Sequence, residues 1–257
     1  MTPMKALVRH PSPCLNDGLV THIERSKVNY ELAVEQWHHY VDVLRDFGWS
    51  ITHAPSVDEC PDGVFIEDAI VMYEGTAILT RPGSDTRKPE VASIEPIVAQ
   101  LGYAIHHIVA PGTLDGGDVL KVANTIYIGQ GARTNSEGIK QFRAIVAPLG
   151  ATVIAVAMTK ALHLKSAVTA LPDGTIIGWL PVVDDPTVFA QFMSMPEESG
   201  AHVVIIDDNH LLMASDAPQS AEILRSMGYL VTTVDISEYE KLEGCVTCLS
   251  VRMRHVC

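Results

Sequence analysis

The chain lacks several features that would assign it to a class at once. Its 257 residues contain no apolar run of about 20 residues, as a membrane-spanning helix requires, and no apolar core of a secretion signal. A proline- and serine-rich linker and a block of like charge are also missing. We therefore expect a single domain over residues 1–257, located in the cytoplasm and without a membrane partner.

Positive charge is scarce as well. Eighteen lysine and arginine residues face 31 aspartate and glutamate residues, which leaves a net charge of −13. This balance disfavours nucleic acid as a partner and is compatible with a cationic small molecule, although it also serves solubility alone. Since 47% of the residues are apolar, the chain can bury a substantial core.

The five cysteines are an odd number at scattered positions, which argues against a disulfide framework and for reduced thiols. Cys245 and Cys248 have the spacing of a metal or redox motif. However, the β-branched sequence predicts a strand over Val246–Met253, and residues three apart in a strand point to opposite faces. Unless a sharp turn intervenes, the two thiols could then neither share an ion nor form an unstrained disulfide. A zinc site that includes His255 and Cys257 stays an alternative, as does a buried structural cysteine.

What the sequence does contain is an internal repeat. Glu67 and Asp115 are 48 residues apart, and so are Asp115 and His163. An apolar helical pattern that ends at Gly102 recurs 48 residues later at Gly150 and 54 residues earlier at Gly48. A repeat near 50 residues indicates one supersecondary unit stacked several times.

Each repeat predicts a β-hairpin, a helix and a strand. In the second unit the hairpin is Ala69–Tyr73 with Thr76–Thr80, turning at Glu74 and Gly75. Five helix-ending glycines (48, 102, 150, 200 and 228) count five units, of which the fourth or fifth is abbreviated. The fourth is expected to have a weak helix near Pro186–Met193 and the strand Val203–Ile206. The first would be completed by Lys5–His10 pairing with Val246–Met253, which closes an α/β ring of ββαβ units with pseudo-fivefold symmetry.

The repeat also groups residues that can carry chemistry. His163 stands in register with Asp115 and Glu67, and a cysteine and histidine oriented by a carboxylate activate a thiol and transfer a proton. Glu67 and Asp68 begin an apolar strand, where a pair of acids needs a cationic partner, either a structural arginine or a ligand. Arg81 and Arg133 follow matching strands and could hold a carboxylate by bidentate hydrogen bonds.

Six segments together resemble the guanidino-group-modifying enzymes, and most closely the dimethylarginine dimethylaminohydrolase family. They are NDGLVTH, FIEDAIVMYEGTAILTRPG, TLDGGDVLKV, GARTNSEG, LHLKS and TCLSV. The resemblance implies a five-bladed α/β propeller, no metal or organic cofactor, and hydrolysis of a methylated arginine to citrulline and an amine. A homodimer is compatible with it.

The resemblance also implies a role for individual residues. Cys248 matches the nucleophile, His163 the general acid and base, and Asp115 the carboxylate that orients the histidine. Substrate-binding positions match Leu19, Asp62, Glu67, Asp68, Arg81, Arg133 and Leu242. The segment Cys14–Thr21 is expected to be a lid over the site.

Other functions remain open on sequence grounds. A related enzyme would hydrolyse arginine or another guanidine, or transfer its amidino group to an amine. The same fold also serves ribosome-associated binding factors, which would not require Cys248, His163 and Asp115 together and would be poorly served by a charge of −13.

Overall fold

The structure, a computed structural model, describes residues 4–253 and forms five three-stranded sheets from them. In chain order the strands are β1 (Lys5–Val8), β2 (Ser50–His53), β3 (Ile70–Tyr73), β4 (Thr76–Leu79), β5 (Ala104–His107), β6 (Val119–Val122), β7 (Thr125–Gln130), β8 (Thr152–Ala157), β9 (Val168–Ala170), β10 (Ile176–Gly178), β11 (Phe192–Ser194), β12 (Val203–Ile205), β13 (His210–Ala214), β14 (Leu230–Val234) and β15 (Val251–Met253). The sheets are β15-β1-β2, β3-β4-β5, β6-β7-β8, β9-β10-β11 and β12-β13-β14. In every sheet the middle strand runs antiparallel to the first strand of this order and parallel to the third.

Helices connect the middle strand to the third strand in four of the five sheets, as the repeat predicted. They are α1 (Tyr30–Asp46), α2 (Glu95–Gln100), α3 (Ser136–Val146) and α4 (Pro218–Ser226), while a short α5 (Ser237–Glu240) precedes β15. Asn29 and Asn135 cap α1 and α3 by accepting the backbone N–H of Leu32 and Gly138. The fourth unit is the abbreviated one, because its connection contains only the 3₁₀ turns Leu180–Val182 and Pro186–Val188. Among residues 4–253, none of the helices combines the length and the apolar character that crossing a membrane requires.

Side-chain alternation along the strands closes the sheets into a ring. Leu7 packs against the second sheet, whereas its neighbours Ala6 and Val8 pack against the fifth. Val71 likewise faces the third sheet, while Ile70 faces the first. Five apolar clusters arise in this way, one between each pair of neighbouring sheets, and the last joins sheet five to sheet one. The predicted five-bladed α/β propeller is confirmed.

The common end of the innermost strands positions the chemistry. The first strands of the first and second sheets contact each other, as do those of the third and fourth, and 3₁₀ turns at Ile66–Ala69, Gly116–Asp118 and Leu164–Ser166 precede β3, β6 and β9. These turns lie side by side. The 48-residue step of the repeat is therefore the step from one such turn to the next.

The predicted organisation of the fourth unit was wrong. Val203–Ile205 pairs with β13 as the first strand of the fifth sheet, and the third strand of the fourth sheet is Phe192–Ser194, which lies in the predicted helix. Phe192 stacks on Phe189, so the apolar pattern that resembled a helix packs a strand against a short turn. Gly200 is not a helix end either, because it lies inside the 3₁₀ turn Ser199–Ala201.

The long strand predicted for Val246–Met253 was also wrong in its first half. Only Val251–Met253 is a strand, and residues 246–249 form a turn. The predicted pairing with the start of the chain is confirmed, since Lys5 lies opposite Met253 and Leu7 opposite Val251. The turn is the exception that would bring Cys245 and Cys248 to the same side. His255 and Cys257 of the zinc alternative lie outside the described residues.

The glycine that ends the third helical segment provides a stability test. Gly150 has φ +87°, a left-handed conformation, with no neighbouring atom within 4 Å of where a Cβ would stand. We expect Gly150→Ala to lower the free energy of unfolding by about 1 kcal/mol through backbone strain alone, and Gly150→Asn to lower it less because asparagine tolerates this conformation. Urea denaturation of the three proteins measures this order, and an alanine variant as stable as the wild type would contradict it.

Candidate active site

A histidine and a carboxylate from neighbouring blades form the centre of the site. His163 Nε2 lies 2.9 Å from Asp115 Oδ2, and both side chains are buried. The backbone N–H of Gly83 donates to the other Asp115 oxygen at 2.8 Å. The carboxylate is therefore fixed from two sides and orients the imidazole.

A second aspartate fixes the backbone next to the histidine. Asp118 Oδ1 accepts the N–H of Leu164 at 3.0 Å, and its Oδ2 accepts the Thr134 hydroxyl at 2.5 Å. Burial raises the pKa of Asp118 to about 6. Asp118 is not among the site residues predicted from the sequence, and the structure gives it a positioning role.

The acidic surroundings change the protonation of His163. Burial alone would lower the pKa of His163, but the nearby carboxylates, chiefly Asp68 and Asp115, outweigh it and raise that pKa to about 9. The imidazole is therefore protonated at neutral pH. A protonated histidine can donate a proton to a leaving group.

Asp68 joins the histidine to a buried arginine that the sequence prediction missed. Asp68 Oδ1 accepts the N–H of Gly117 at 2.8 Å and lies 3.9 Å from His163 Nδ1. Its Oδ2 accepts Arg87 Nη1 at 2.5 Å, and Arg87 also pairs with Glu90 at 2.8 Å. Burial would raise the pKa of Asp68, but the charges of His163 and Arg87 keep it well below its usual range.

Glu67 is held through only one of its two carboxylate oxygens. Lys165 Nζ and Arg252 Nη2 both lie 2.6 Å from Oε1. Oε2 is buried and has no hydrogen-bond partner within residues 4–253. A buried carboxylate oxygen without a donor is costly, so this atom is an open acceptor for a cationic N–H.

The candidate nucleophile lies in the turn that the sequence did not predict. The N–H of Cys248 donates to Cys245 O at 3.0 Å, and Glu67 N–H donates to Cys248 O at 3.3 Å. Arg252 Nη1 holds the turn by donating to the carbonyls of Thr247 (2.8 Å) and Ser250 (2.9 Å). One guanidinium therefore fixes both the cysteine turn and the carboxylate of Glu67.

The two sulfurs of this turn are within hydrogen-bonding distance of each other. They are 3.3 Å apart, and the hydrogen bond from Cys248 lowers the pKa of Cys245 to about 5. The same hydrogen bond, burial and the charges of Glu67 and Asp68 raise the pKa of Cys248. Without a bound cation, Cys248 is therefore the protonated member of the pair.

The other predicted binding residues fall into two groups. Leu19 N–H donates to Asp62 Oδ1 at 3.0 Å, and Gly18 is packed between Asp62 and Leu242, so Asp62 and Leu242 lie against the predicted lid, which contains Leu19. Arg133 is buried with Nη1 3.5 Å from Asp115 Oδ2, but this nitrogen has no hydrogen-bond acceptor in the described part of the chain. It is an open donor.

The Arg81 side chain makes no hydrogen bond to this cluster among residues 4–253. Its guanidinium donates to Gly112 O at 3.2 Å, while its backbone carbonyl accepts the N–H of Leu114, the neighbour of Asp115, at 2.9 Å. Burial raises the pKa of Asp62, and the charges of the buried Arg87 and of Arg133 partly offset this rise. Arg87 stands in a run of charged residues, which is typical of a solvated loop, so only the tertiary fold indicates that Arg87 is buried.

Comparison with known proteins identifies the family. The model of the eukaryotic N,N dimethylarginine dimethylhydrolase family matches residues 15–206. A protein of Streptomyces coelicolor named N(G),N(G)-dimethylarginine dimethylaminohydrolase is 55% identical over 256 residues, which cover 100% of this chain and 99% of the relative. The chain belongs to the dimethylarginine dimethylaminohydrolase family.

Solved structures of dimethylarginine dimethylaminohydrolases share the fold. A cysteine-to-serine variant from Pseudomonas aeruginosa complexed with citrulline superposes with a TM-score of 0.90 at 33% identity, covering 98% of this chain and 100% of that one. A histidine-to-glycine variant, solved as an adduct with S-methyl-L-thiocitrulline, also has a TM-score of 0.90 at 33% identity, with 97% and 99% covered.

The proton affinity of His163 is open to direct measurement. Asp115→Asn removes a charge and turns an acceptor into an amide, so we expect the pKa of His163 to fall from about 9 towards its ordinary range. Titration of the imidazole resonances by NMR measures this shift. Asp184→Asn, which alters an acid that only holds the exposed residues Thr159 and Lys160, is the matched control. An unchanged His163 titration in Asp115→Asn would contradict the pairing.

Proposed function

We propose that this protein hydrolyses N-omega-methylated arginines, dimethylarginine among them, to citrulline and the corresponding methylamine. The observation that carries the proposal is a complementary pair of unsatisfied buried atoms. Glu67 Oε2 lacks a donor and Arg133 Nη1 lacks an acceptor among residues 4–253. A guanidinium that also bears a carboxylate supplies both partners in one molecule. Family membership supports the same substrate class, since the relatives carry the name of this activity.

The positive charge of the bound substrate would favour ionisation of the Cys248 thiol. Glu67 and Asp68 would orient the guanidinium, and Asp62, Leu19 and Leu242 would line its approach. The bound cation would offset the negative charges of Glu67 and Asp68, which raise the pKa of Cys248. The Cys248 proton then passes to Cys245, whose sulfur lies 3.3 Å away, and the Cys248 thiolate forms beside the carbon that it attacks.

The reaction proceeds in two halves. Cys248 sulfur attacks the guanidinium carbon, the bond to the methylated nitrogen breaks, and protonated His163 gives that nitrogen its proton. The product of this half is an S-alkylthiouronium on Cys248 and a free amine. Neutral His163 then takes a proton from water, whose oxygen attacks the same carbon, and citrulline leaves as the Cys248 sulfur departs. Asp115 keeps the imidazole oriented throughout.

The remaining expectations belong to the same proposal. We propose that residues 1–257 act as one catalytic domain and that the protein is located in the cytoplasm. Cell fractionation tests the location. A homodimer is checked by sedimentation of the purified protein.

A product assay tests the proposed function. Purified protein is incubated with arginine, monomethylarginine and asymmetric dimethylarginine, and citrulline, ammonia, methylamine and dimethylamine are measured. We expect citrulline with methylamine or dimethylamine, and no citrulline from the Cys248→Ser variant, which should still bind substrate in calorimetry. Ammonia from arginine as the main product would indicate an arginine hydrolase, and a new guanidine formed from an added amine would indicate an amidinotransferase.

Substitutions of Arg81, Arg87 and Arg133 are expected to differ in their effect on the KM for dimethylarginine. We expect Arg133→Ala to raise KM for dimethylarginine by at least about tenfold, since one charge-assisted bond is worth about 1.5–3 kcal/mol. Turnover of N-methylguanidine, which has no carboxylate, should change far less. Arg87→Lys should raise KM more than Arg81→Lys does, because Arg87 is buried against Asp68. Equal KM values for Arg133→Ala and wild type would remove Arg133 from the carboxylate clamp that we propose it forms with Arg81, and a larger effect at Arg81 would assign the clamp chiefly to that residue.

A further inference from the structure

The turn that holds the candidate nucleophile contains a second cysteine that the reaction does not use. Cys248 N–H donates to Cys245 O, so residues 245–248 form a β-turn, whose ends lie within about 7 Å of each other at Cα. Disulfides join Cα atoms about 4.4–6.8 Å apart. The sulfurs, now 3.3 Å apart, would need to approach by a little over about 1 Å to reach bonding distance.

Cys245 is buried but borders a cavity whose lining includes none of the predicted substrate-binding residues. This cavity has a volume of about 420 Å³, its walls include His202 and Glu240, and its rim includes the exposed residues His22 and Ile23. The Cys245 side chain also lies 3.3 Å from the Thr247 hydroxyl, which can donate to a thiolate. A small neutral oxidant could therefore meet this sulfur while the predicted lid covers Cys248.

The electrostatics of the pair favour the first step of oxidation at Cys245. The hydrogen bond from Cys248 and the neighbouring His202 hold the pKa of Cys245 low, at about 5. Thiolates, not thiols, react with peroxides. The Cys248 thiol then lies next to the oxidised sulfur as the resolving group.

We propose that Cys245 and Cys248 form a peroxide-sensitive dithiol that closes to a disulfide and reversibly inactivates the enzyme. Cys245 thiolate attacks hydrogen peroxide, the O–O bond breaks, and a sulfenic acid and hydroxide result. The Cys248 sulfur attacks the sulfenic sulfur, its proton and the departing hydroxyl leave as water, and the S–S bond forms. The two thiols lose two electrons and two protons in total, and the peroxide becomes two waters.

The consequence for activity rests on the proposed function, whereas the bond itself does not. A disulfide occupies the sulfur that would attack the guanidinium, so substrate cannot be turned over. It also protects that sulfur, since a lone cysteine at the nucleophile position would continue to the sulfinic state, which thiol reagents do not reverse.

The test is peptide mapping of the whole protein after exposure to hydrogen peroxide in the presence of a metal chelator. We expect the peptide that carries both residues to become lighter by two hydrogen atoms, with a cross-link between positions 245 and 248 in its fragmentation. Turnover should fall to background and return after dithiothreitol. An uncross-linked peptide in inactivated protein would overturn the proposal, whatever the substrate proves to be.

Variants distinguish disulfide formation between Cys245 and Cys248 from general oxidation of the protein. Cys245→Ser should form no cross-link and, after the same exposure, should carry a sulfinic or sulfonic group at Cys248 and recover little activity with dithiothreitol. Cys60→Ser, which removes a buried cysteine elsewhere, should respond as the wild type does. Full recovery of oxidised Cys245→Ser by dithiothreitol would show that Cys245 does not protect the nucleophile.

Discussion

The pairing of β1 with β15 is the interaction on which the rest of the structure depends. It joins residues near the two ends of the chain, with Lys5 opposite Met253, and gives the first sheet its antiparallel strand. The same two strands supply apolar side chains to the clusters on both sides of the first blade. Closing so long a loop costs only slightly more than closing a short one, because the entropy grows with the logarithm of length. Burial on both faces can therefore hold the ring closed.

Ring closure also decides where the chemistry lies. Glu67, Asp115 and His163 precede or begin turns within the chain, but Cys248 reaches them only because β15 docks beside β1 and contacts β3. Arg252, on β15, then ties the cysteine turn to Glu67. The nucleophile is thus held by the element that completes the fold, so loosening the ring would disturb the site before it exposed much of the core.

Much of this could be read from the sequence, and the failures have physical causes. Hairpins and amphipathic helices depend on local periodicity, and the constant 48-residue step carries Asp115 and His163 to equivalent places in adjacent blades. The fourth blade was misread because its connection, interrupted by Pro181 and Pro186, forms only 3₁₀ turns in place of the expected helix, so the strand after Gly200 was counted one sheet too early. The turn at Cys248 was missed because Val246 and Thr247 favour strands, whereas Arg252, which holds the turn by hydrogen bonds to Thr247 and Ser250, is itself fixed by the distant Glu67. Arg87 was missed for the same reason.

The density of buried charge explains why the nucleophile needs its substrate. Five carboxylates, those of Asp62, Glu67, Asp68, Asp115 and Asp118, are buried at the site, and the hydrogen bond to Cys245, burial and the charges of Glu67 and Asp68 oppose an anion at Cys248. A site built to hold a cation by acids therefore keeps its thiol protonated until the cation arrives. Placing Cys245 within 3.3 Å lets the one negative charge of the pair reside on Cys245, where the hydrogen bond from Cys248 and the neighbouring His202 stabilise it. The turn that keeps Cys248 protonated between turnovers therefore also places a second, more readily ionised sulfur, that of Cys245, next to it.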